Sequence, residues 1–163
     1  MTSVYLETTI VSYLAARPSR DLIVAAHQQI THDWWETSRQ GYELFVSEAV
    51  LEEIRRGDPD AAQRRLEIVG DLPILGLNDD AEQLALKYGN ELGLPDSAAV
   101  DVLHIAIAVA HQMDFLLTWN CAHIANGEVV RRLRTLNGAL NRPTPIIVTP
   151  EELVRIPSGG QEE

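Results

Sequence analysis

Short apolar runs alternate along the chain with longer segments that mix apolar and polar residues. The runs are rich in Val, Ile, Leu, Tyr and Phe, which favour strands, and they lie at residues 4–6, 44–46, 74–77, 115–118 and 145–148. The segments between them begin with helix-capping residues or carry apolar positions at helical spacing. They predict helices over residues 8–16, 22–39, 47–57, 79–92, 97–112 and 127–136, one beginning at Asp58-Pro59, and a terminal helix from Thr149.

This alternation predicts a single α/β domain. Parallel strands need a crossover connection, and a helix between successive strands supplies it, so we expect a mainly parallel central sheet flanked by helices. No linker, repeat or low-complexity segment divides residues 1–155. Residues 156–163, which contain a Ser-Gly-Gly stretch and end on two glutamates, are expected to form a flexible tail.

The composition narrows the class of protein. The 163 residues include 24 Asp and Glu against 13 Lys and Arg, a net charge of −11, which argues against capture of nucleic acid or an anionic membrane by the surface as a whole. Cys121 is the only cysteine, so an intramolecular disulfide and a mainly thiolate zinc site are excluded. No apolar run is long enough to span a bilayer, and the first residues lack the features of a signal peptide, so we expect a cytoplasmic protein.

Acidic and amide side chains follow the predicted strands. Glu7 comes directly after the first strand, Glu53 lies on the helix after the second, and Asn120 follows the strand at residues 115–118. Asp101 lies in the first turns of an otherwise apolar helix, where an unpaired carboxylate would cost several kcal/mol. Because ligands bind beyond the carboxyl ends of parallel strands, these four residues are the candidate site.

Carboxylate and amide oxygens suit a hard divalent cation. Mg²⁺ and Mn²⁺ prefer such ligands and retain waters, which leaves positions for a phosphate. A metal held there would activate water and offset the negative charge that develops on a phosphodiester under attack. An acidic protein could then act on nucleic acid, because the local charge at the site would be favourable even though the total is not.

Four segments in this order resemble the successive blocks of PIN-domain proteins, which include the VapC-like ribonuclease toxins of bacterial toxin–antitoxin pairs. The resemblance runs from about residue 4 to residue 148, and its blocks are YLETTIVSYL (5–14), VSEAVLEEI (46–54), VDVLHIA (100–106) and LLTWNCAHIAN (116–126).

This resemblance implies a PIN-like fold and a Mg²⁺- or Mn²⁺-dependent endoribonuclease. Carried over position by position, it makes Glu7, Glu53, Asp101 and Asn120 both the metal ligands and the catalytic residues. It further implies an RNA substrate and a cognate antitoxin protein. Apart from the resemblance, we expect a homodimer and no association with a membrane. Glu7 stands where aspartate is usual, which keeps the charge and lengthens the side chain by one methylene. Asn120 stands where an aspartate is common, so at that position the site carries one negative charge fewer.

Each candidate residue also has a plainer interpretation. Glu7 can cap the following helix or pair with an arginine, and Asn120 can simply shape the turn before the next helix. Glu52 is an alternative to Glu53 as the site residue. Adjacent glutamates on a short helix are also usually both solvated, in which case neither would belong to a site. His104, three residues after Asp101, is interpreted as a hydrogen-bonded neutral histidine of the core or of the metal surroundings. His123 is interpreted as local packing, or at most as a hydrogen-bond donor to the substrate.

Two other functions remain open on the sequence. A non-catalytic PIN-like module would bind RNA or a protein, with Glu7 and Asn120 recording decay of the metal site. A metal-dependent phosphatase or a DNA-directed nuclease could use the same carboxylates. Paired arginines at 55–56 and 64–65 and the cluster at 131–134 can line an RNA path or form solvated helix faces.

Overall fold

The computed structural model describes residues 1–154, and strands and helices alternate within them as the sequence predicts. The strands are β1 (Ser3–Leu6), β2 (Glu43–Ser47), β3 (Ile74–Leu75), β4 (Phe115–Leu117) and β5 (Ile146–Val148). The helices are α1 (Thr8–Ala15), α2 (Leu22–Thr37), α3 (Glu48–Ile54), α4 (Pro59–Val69), α5 (Asp79–Glu91), α6 (Ala99–Ala110) and α7 (Gly127–Ala139). The predicted tail at residues 156–163 lies outside the described residues.

The strands form one parallel sheet in the order β3-β2-β1-β4-β5. β1 is central, and its Tyr5 lies opposite Phe45 of β2 and Leu116 of β4. The chain moves outward from β1 to β2 and β3 and then returns to the other side for β4 and β5. The strand order therefore reverses between β1 and β4, and the carboxyl ends at such a reversal are where open parallel sheets bind ligands.

The core is built around the central strand and the apolar helix α6. Val4, Tyr5 and Leu6 are fully buried, as expected for a parallel strand covered on both faces. Helix α6 packs against α5, whereas α1 packs against α2, α3 and α4. Helices α1 and α3 start immediately after β1 and β2, so their first turns lie at the carboxyl edge of the sheet.

The predicted terminal helix is wrong for the described residues. The Thr149 N–H donates to the Glu152 carboxylate at 3.0 Å and the Glu152 N–H donates to the Thr149 carbonyl at 3.0 Å, so the capping pattern closes one turn. The carbonyl of Leu153 then accepts a hydrogen bond from the Trp34 ring nitrogen at 2.8 Å. The main chain therefore makes a tertiary contact with α2 instead of continuing as a helix through residue 154.

The start of α1 agrees with the interpretation of Glu7 as a helix cap. Glu7 is the N-cap residue, and its side chain accepts a hydrogen bond from the Thr9 N–H. The Thr9 hydroxyl also donates to the Glu7 carboxylate. None of the helices in residues 1–154 is long and apolar enough to cross a membrane.

Candidate metal centre

Glu7 is a buried carboxylate at the carboxyl end of the central strand. Its residue is only 3% exposed. One carboxylate oxygen accepts hydrogen bonds from the hydroxyls of Thr9 and Thr118, each at 2.6 Å, and the other accepts from the Thr9 N–H at 3.2 Å. These donors are all neutral, so no cation among the described residues offsets the charge of Glu7.

Glu53 reaches the same edge from α3 and is fixed by two groups. The Thr8 hydroxyl donates to its Oε1 at 2.6 Å, and Nε2 of His104 lies 2.5 Å from the same oxygen. The rival residue, Glu52, is exposed and pairs with Arg56 at 2.9 Å. The structure thus separates the two adjacent glutamates, one turned inward and one solvated.

His104 is completely buried and connects Glu53 to the centre of the sheet. A carboxylate only accepts, so Nε2–H donates to Glu53, and in the neutral ring Nδ1 accepts from the Tyr5 hydroxyl at 2.6 Å. The Tyr5 oxygen in turn accepts from the Ser47 hydroxyl at 2.8 Å. Ser47 also accepts from the Val50 N–H at 3.2 Å and so caps α3, the helix that carries Glu53.

These contacts set the protonation of the groups in this chain of hydrogen bonds. Burial alone raises the pKa of the Glu53 carboxyl, but the hydrogen bonds from His104 and Thr8, together with the charge of Arg56, outweigh it and hold the pKa below its usual value. Burial raises the pKa of the Tyr5 hydroxyl far above its usual value. Glu53 is therefore kept as an anion and Tyr5 as a neutral phenol.

Glu7, Glu53 and His104 form a compact group among the described residues, in which one possible ligand atom of each lies within 4.8 Å of those of the other two. Both ring nitrogens of His104 already have partners in Glu53 and Tyr5, so the two carboxylates are the ligands that this group offers. A buried carboxylate with only neutral partners, next to a second carboxylate held as an anion, fits a divalent cation.

Asp101 and Asn120 are near the same edge but have other partners. The Nδ1–H of His123 donates to the Asp101 carboxylate at 2.9 Å, and both side chains are part-exposed. The Asn120 amide oxygen accepts from the His123 N–H at 3.0 Å, and the Asn120 carbonyl accepts from Ile124 and Ala125. Asn120 therefore shapes the turn after β4, which is the plainer of its two interpretations.

A continuous path of hydrogen bonds nevertheless joins Asp101 and Asn120 to Glu7. The Asn120 N–H donates to the Thr118 hydroxyl at 2.9 Å, and that hydroxyl donates to Glu7. His123 connects Asn120 to Asp101 through its backbone and its ring. The four residues selected from the sequence therefore belong to one edge of the sheet, with Glu7 and Glu53 in the tight cluster and Asp101 and Asn120 beside it.

Sequence reasoning understated four residues of this edge. His123 holds Asp101 by its ring and is not merely packing, and Thr8, Thr9 and Thr118 supply the hydroxyls that orient the two glutamates. The available signal was position, since each of these residues lies within three places of a strand end or of Asn120. The interpretation of His104 as a hydrogen-bonded histidine of the metal surroundings agrees with its two contacts.

Neither a protein-family model nor a curated protein sequence matches the chain. Solved structures do match. VapBC2 from Rickettsia felis, bound to a DNA fragment from its promoter, has a TM-score of 0.60 and 18% identity, over 91% of this chain and 98% of that chain. The sarcin-ricin loop cleaving toxin VapC20 of Mycobacterium tuberculosis has a TM-score of 0.58 and 15% identity, over 73% and 91%.

VapBC-1 from nontypeable Haemophilus influenzae is also similar, with a TM-score of 0.56 and 14% identity over 93% of this chain and 100% of that chain. Identities at this level show the fold. The chain has the fold of the VapC proteins, and the expectation of a PIN-like α/β architecture with a parallel sheet flanked by helices is confirmed.

Proposed function

We propose that this chain is a divalent-metal-dependent endoribonuclease, a VapC-like PIN-domain toxin that hydrolyses RNA phosphodiester bonds. The observation that carries the proposal is the pair Glu7 and Glu53, which meet at the carboxyl edge of a sheet with the VapC fold while no cation among the described residues offsets Glu7. A carboxylate buried in this way needs a positive partner, and an oxygen-rich donor set selects Mg²⁺ or Mn²⁺.

The residues that would hold the cation are Glu7, Glu53, Asp101 and Asn120. When bound, a divalent cation supplies a Lewis acid that lowers the pKa of water and offsets charge on the phosphodiester. Asn120 would contribute through its amide oxygen. To bind the cation, this oxygen would give up the hydrogen bond that it accepts from the His123 N–H. Asp101 keeps one carboxylate oxygen free of His123, because the ring contacts only Oδ2.

The surrounding residues position these ligands. Thr9 and Thr118 fix one oxygen of Glu7, while Thr8 and His104 fix one oxygen of Glu53, and in each carboxylate the second oxygen is left more open. Groups that orient metal-binding carboxylates in this way commonly change metal affinity or activity tenfold or more when removed. His104 is thus a positioning residue that acts through Glu53.

The remaining elements of the proposal are the partners. The matched structures of VapBC pairs support a cognate antitoxin for this chain, and we propose in addition that the chain forms a homodimer and works in the cytoplasm.

Cleavage of a structured RNA by matched variants tests the function. Wild type is expected to cleave in Mn²⁺, and Glu53→Gln and Asp101→Asn are expected to lose at least tenfold in rate. Glu52→Gln is the control, since it changes the neighbouring carboxylate that faces solvent. Equal activity in wild type and Asp101→Asn would contradict the proposed site, and activity unaffected by chelation would contradict the metal.

A second function is favoured by the contacts of Asp101 and Asn120. Both side chains already have partners in His123, so a PIN-like module that binds RNA or a protein without cleaving it fits those contacts equally well. Such a module would be neither stabilised by Mn²⁺ nor active on RNA, although it would retain binding to its partner.

A further inference from the structure

A small basic groove lies between α1 and α4 on this otherwise acidic protein. Its volume is about 230 Å³, several times the roughly 30 Å³ that one water molecule occupies in the liquid. Three arginines line it together with small residues, and no acidic residue does; the lining is Ser12, Ala15, Ala16, Arg17, Ala61, Arg64 and Arg65. We call this feature the arginine groove.

The charges of the arginine groove are not neutralised by carboxylates. Arg64 donates through Nε to the Ala15 carbonyl at 3.3 Å, and Arg65 donates to the carbonyls of Ile54 and Arg56 at 3.0 and 2.7 Å. Within residues 1–154, no Asp or Glu lies at ion-pair distance from Arg17, Arg64 or Arg65. Neutral carbonyls orient the guanidinium groups but leave their charge available.

Three other arginines in residues 1–154 have acidic partners. Arg56 pairs with Glu52, Arg131 with Glu128, and Arg142 with Asp80. Arg17, Arg64 and Arg65 instead line one groove without an acidic partner, which concentrates positive charge locally on a protein with a total charge of −11. A local positive site of this kind selects an anion, and arginine binds phosphate with two parallel hydrogen bonds.

The arginine groove is built on two elements that also form the candidate metal centre. Helix α1 begins at Thr8, which binds Glu53, and Ser12 enters the groove one turn later, an advance of about 6 Å along the helix. On the other side, Arg65 binds the carbonyl of Ile54, the residue that follows Glu53. The two features therefore share α1 and the end of α3.

We propose that the arginine groove binds phosphate groups of the RNA strand next to the bond that is cleaved. This inference rests on the proposed ribonuclease function, because RNA is the polyanion that function requires. An acidic peptide would also carry negative charge, but the planar guanidinium groups suit phosphate, and the elements shared with the metal centre favour a nucleic-acid backbone bound at both features.

Binding of a fluorescein-labelled RNA hairpin to the full-length protein, without added metal, tests the groove separately from cleavage. The double variant Arg17→Gln/Arg64→Gln is expected to bind more weakly. The slope of log affinity against log salt concentration should fall by about 0.7 for each lost phosphate contact with a single strand, so by about 1.4 for two. The control Arg131→Gln/Arg134→Gln makes the same change in net charge on α7 and should keep the wild-type slope.

A second pair of variants changes the charge of the groove and leaves the Arg64 contact with α1 in place. Ala61→Glu places a negative charge in the groove without removing any hydrogen bond of a guanidinium group, and Ala61→Gln is its neutral counterpart. We expect weaker RNA binding in Ala61→Glu than in Ala61→Gln. Equal melting temperatures of the two variants would show that the difference in binding does not come from unfolding.

The outcomes separate this inference from the proposed function. RNA binding that depends on the groove in a protein that cleaves nothing supports the groove and contradicts the ribonuclease. Cleavage by wild type with the same salt slope in all variants supports the ribonuclease and overturns the groove. Absence of RNA binding by wild type, binding of acidic peptides alone, or an equal loss in the α7 control also overturns it.

Discussion

The histidines show most clearly how single residues behave differently from what the sequence suggests. His104 and His123 both follow Asp101 or Asn120 by three positions, yet His104 is fully buried between Tyr5 and Glu53 while His123 is part-exposed and holds Asp101. The sequence identifies carboxylates near strand ends because the positions of the strands along the chain follow from the pattern. It does not reveal which imidazole faces which carboxylate, because that depends on side-chain direction over distances of 2.5–3 Å.

Removing the Tyr5 hydroxyl is expected to destabilise the protein by about 1–3 kcal/mol. Tyr5→Phe leaves the ring nitrogen of His104 and the hydroxyl of Ser47 each one partner short in a fully buried position. Tyr13→Phe is the control, since the Tyr13 hydroxyl makes no side-chain hydrogen bond within the described part of the chain. Urea denaturation gives the two free energies of unfolding, and equal losses would contradict the role of the Tyr5 hydroxyl.

At the scale of helices and strands, the sequence predicts most of the structure. Each strand and helix in residues 1–148 is present within a few residues of its expected bounds, because capping residues such as Asp58 and Asn126 mark starts and glycines such as Gly93 mark turns. The predicted terminal helix does not form, because a tertiary contact holds this part of the chain. Thr149 and Glu152 make the expected cap, but Leu153 is held by Trp34, more than 100 residues away in sequence.

Helix α3 carries Glu53, so weakening the N-cap of α3 should lower both the stability of the protein and its activity. Ser47→Ala and Asp58→Ala each remove an N-cap, of α3 and of α4, and each should cost about 0.5–2 kcal/mol of unfolding free energy. Only Ser47→Ala also loses the contact with Tyr5 and disturbs the helix that presents Glu53. We therefore expect reduced RNA cleavage in Ser47→Ala alone, and equal activity of the two variants would contradict this coupling.

The contact between α5 and α7 should make folding sensitive to alkaline pH. Burial raises the pKa of Tyr88 to about 12, and its hydroxyl donates to Asn137 of α7. Between about pH 10, where the unfolded tyrosine ionises, and pH 12, only the folded chain keeps this proton, so stability falls as pH rises, by about 1.4 kcal/mol per pH unit at most.

Tyr88→Phe should remove this contribution while lowering stability at pH 8, because Asn137 loses its hydroxyl donor. Buried Tyr5 contributes to the alkaline loss in both proteins, so the difference between the two urea-derived stability curves isolates Tyr88. Parallel curves from pH 9 to pH 12 would show that Tyr88 does not titrate between those limits.

For the molecule as a whole, the charge of −11 favours the binding of cations, and the acidic site is where we expect a divalent cation to bind. If Mn²⁺ binds the folded state, a concentration of 100 Kd stabilises it by about 2.7 kcal/mol, which raises the melting temperature by about 5–10 °C for a chain of this length. Glu7→Gln should abolish the shift, and Glu52→Gln should retain it. No shift in wild type at millimolar Mn²⁺ would favour the non-catalytic module.

The parallel pairing of β1 with β4 also has a consequence for synthesis on the ribosome. Val4 lies opposite Phe115, and the Glu7 N–H donates to the Leu117 carbonyl, so β1 waits for more than 100 further residues before this neighbour is synthesised. Long-range parallel pairing of this kind is slow to form. An interrupted translation product that ends before β4 can therefore assemble neither the sheet nor the proposed site.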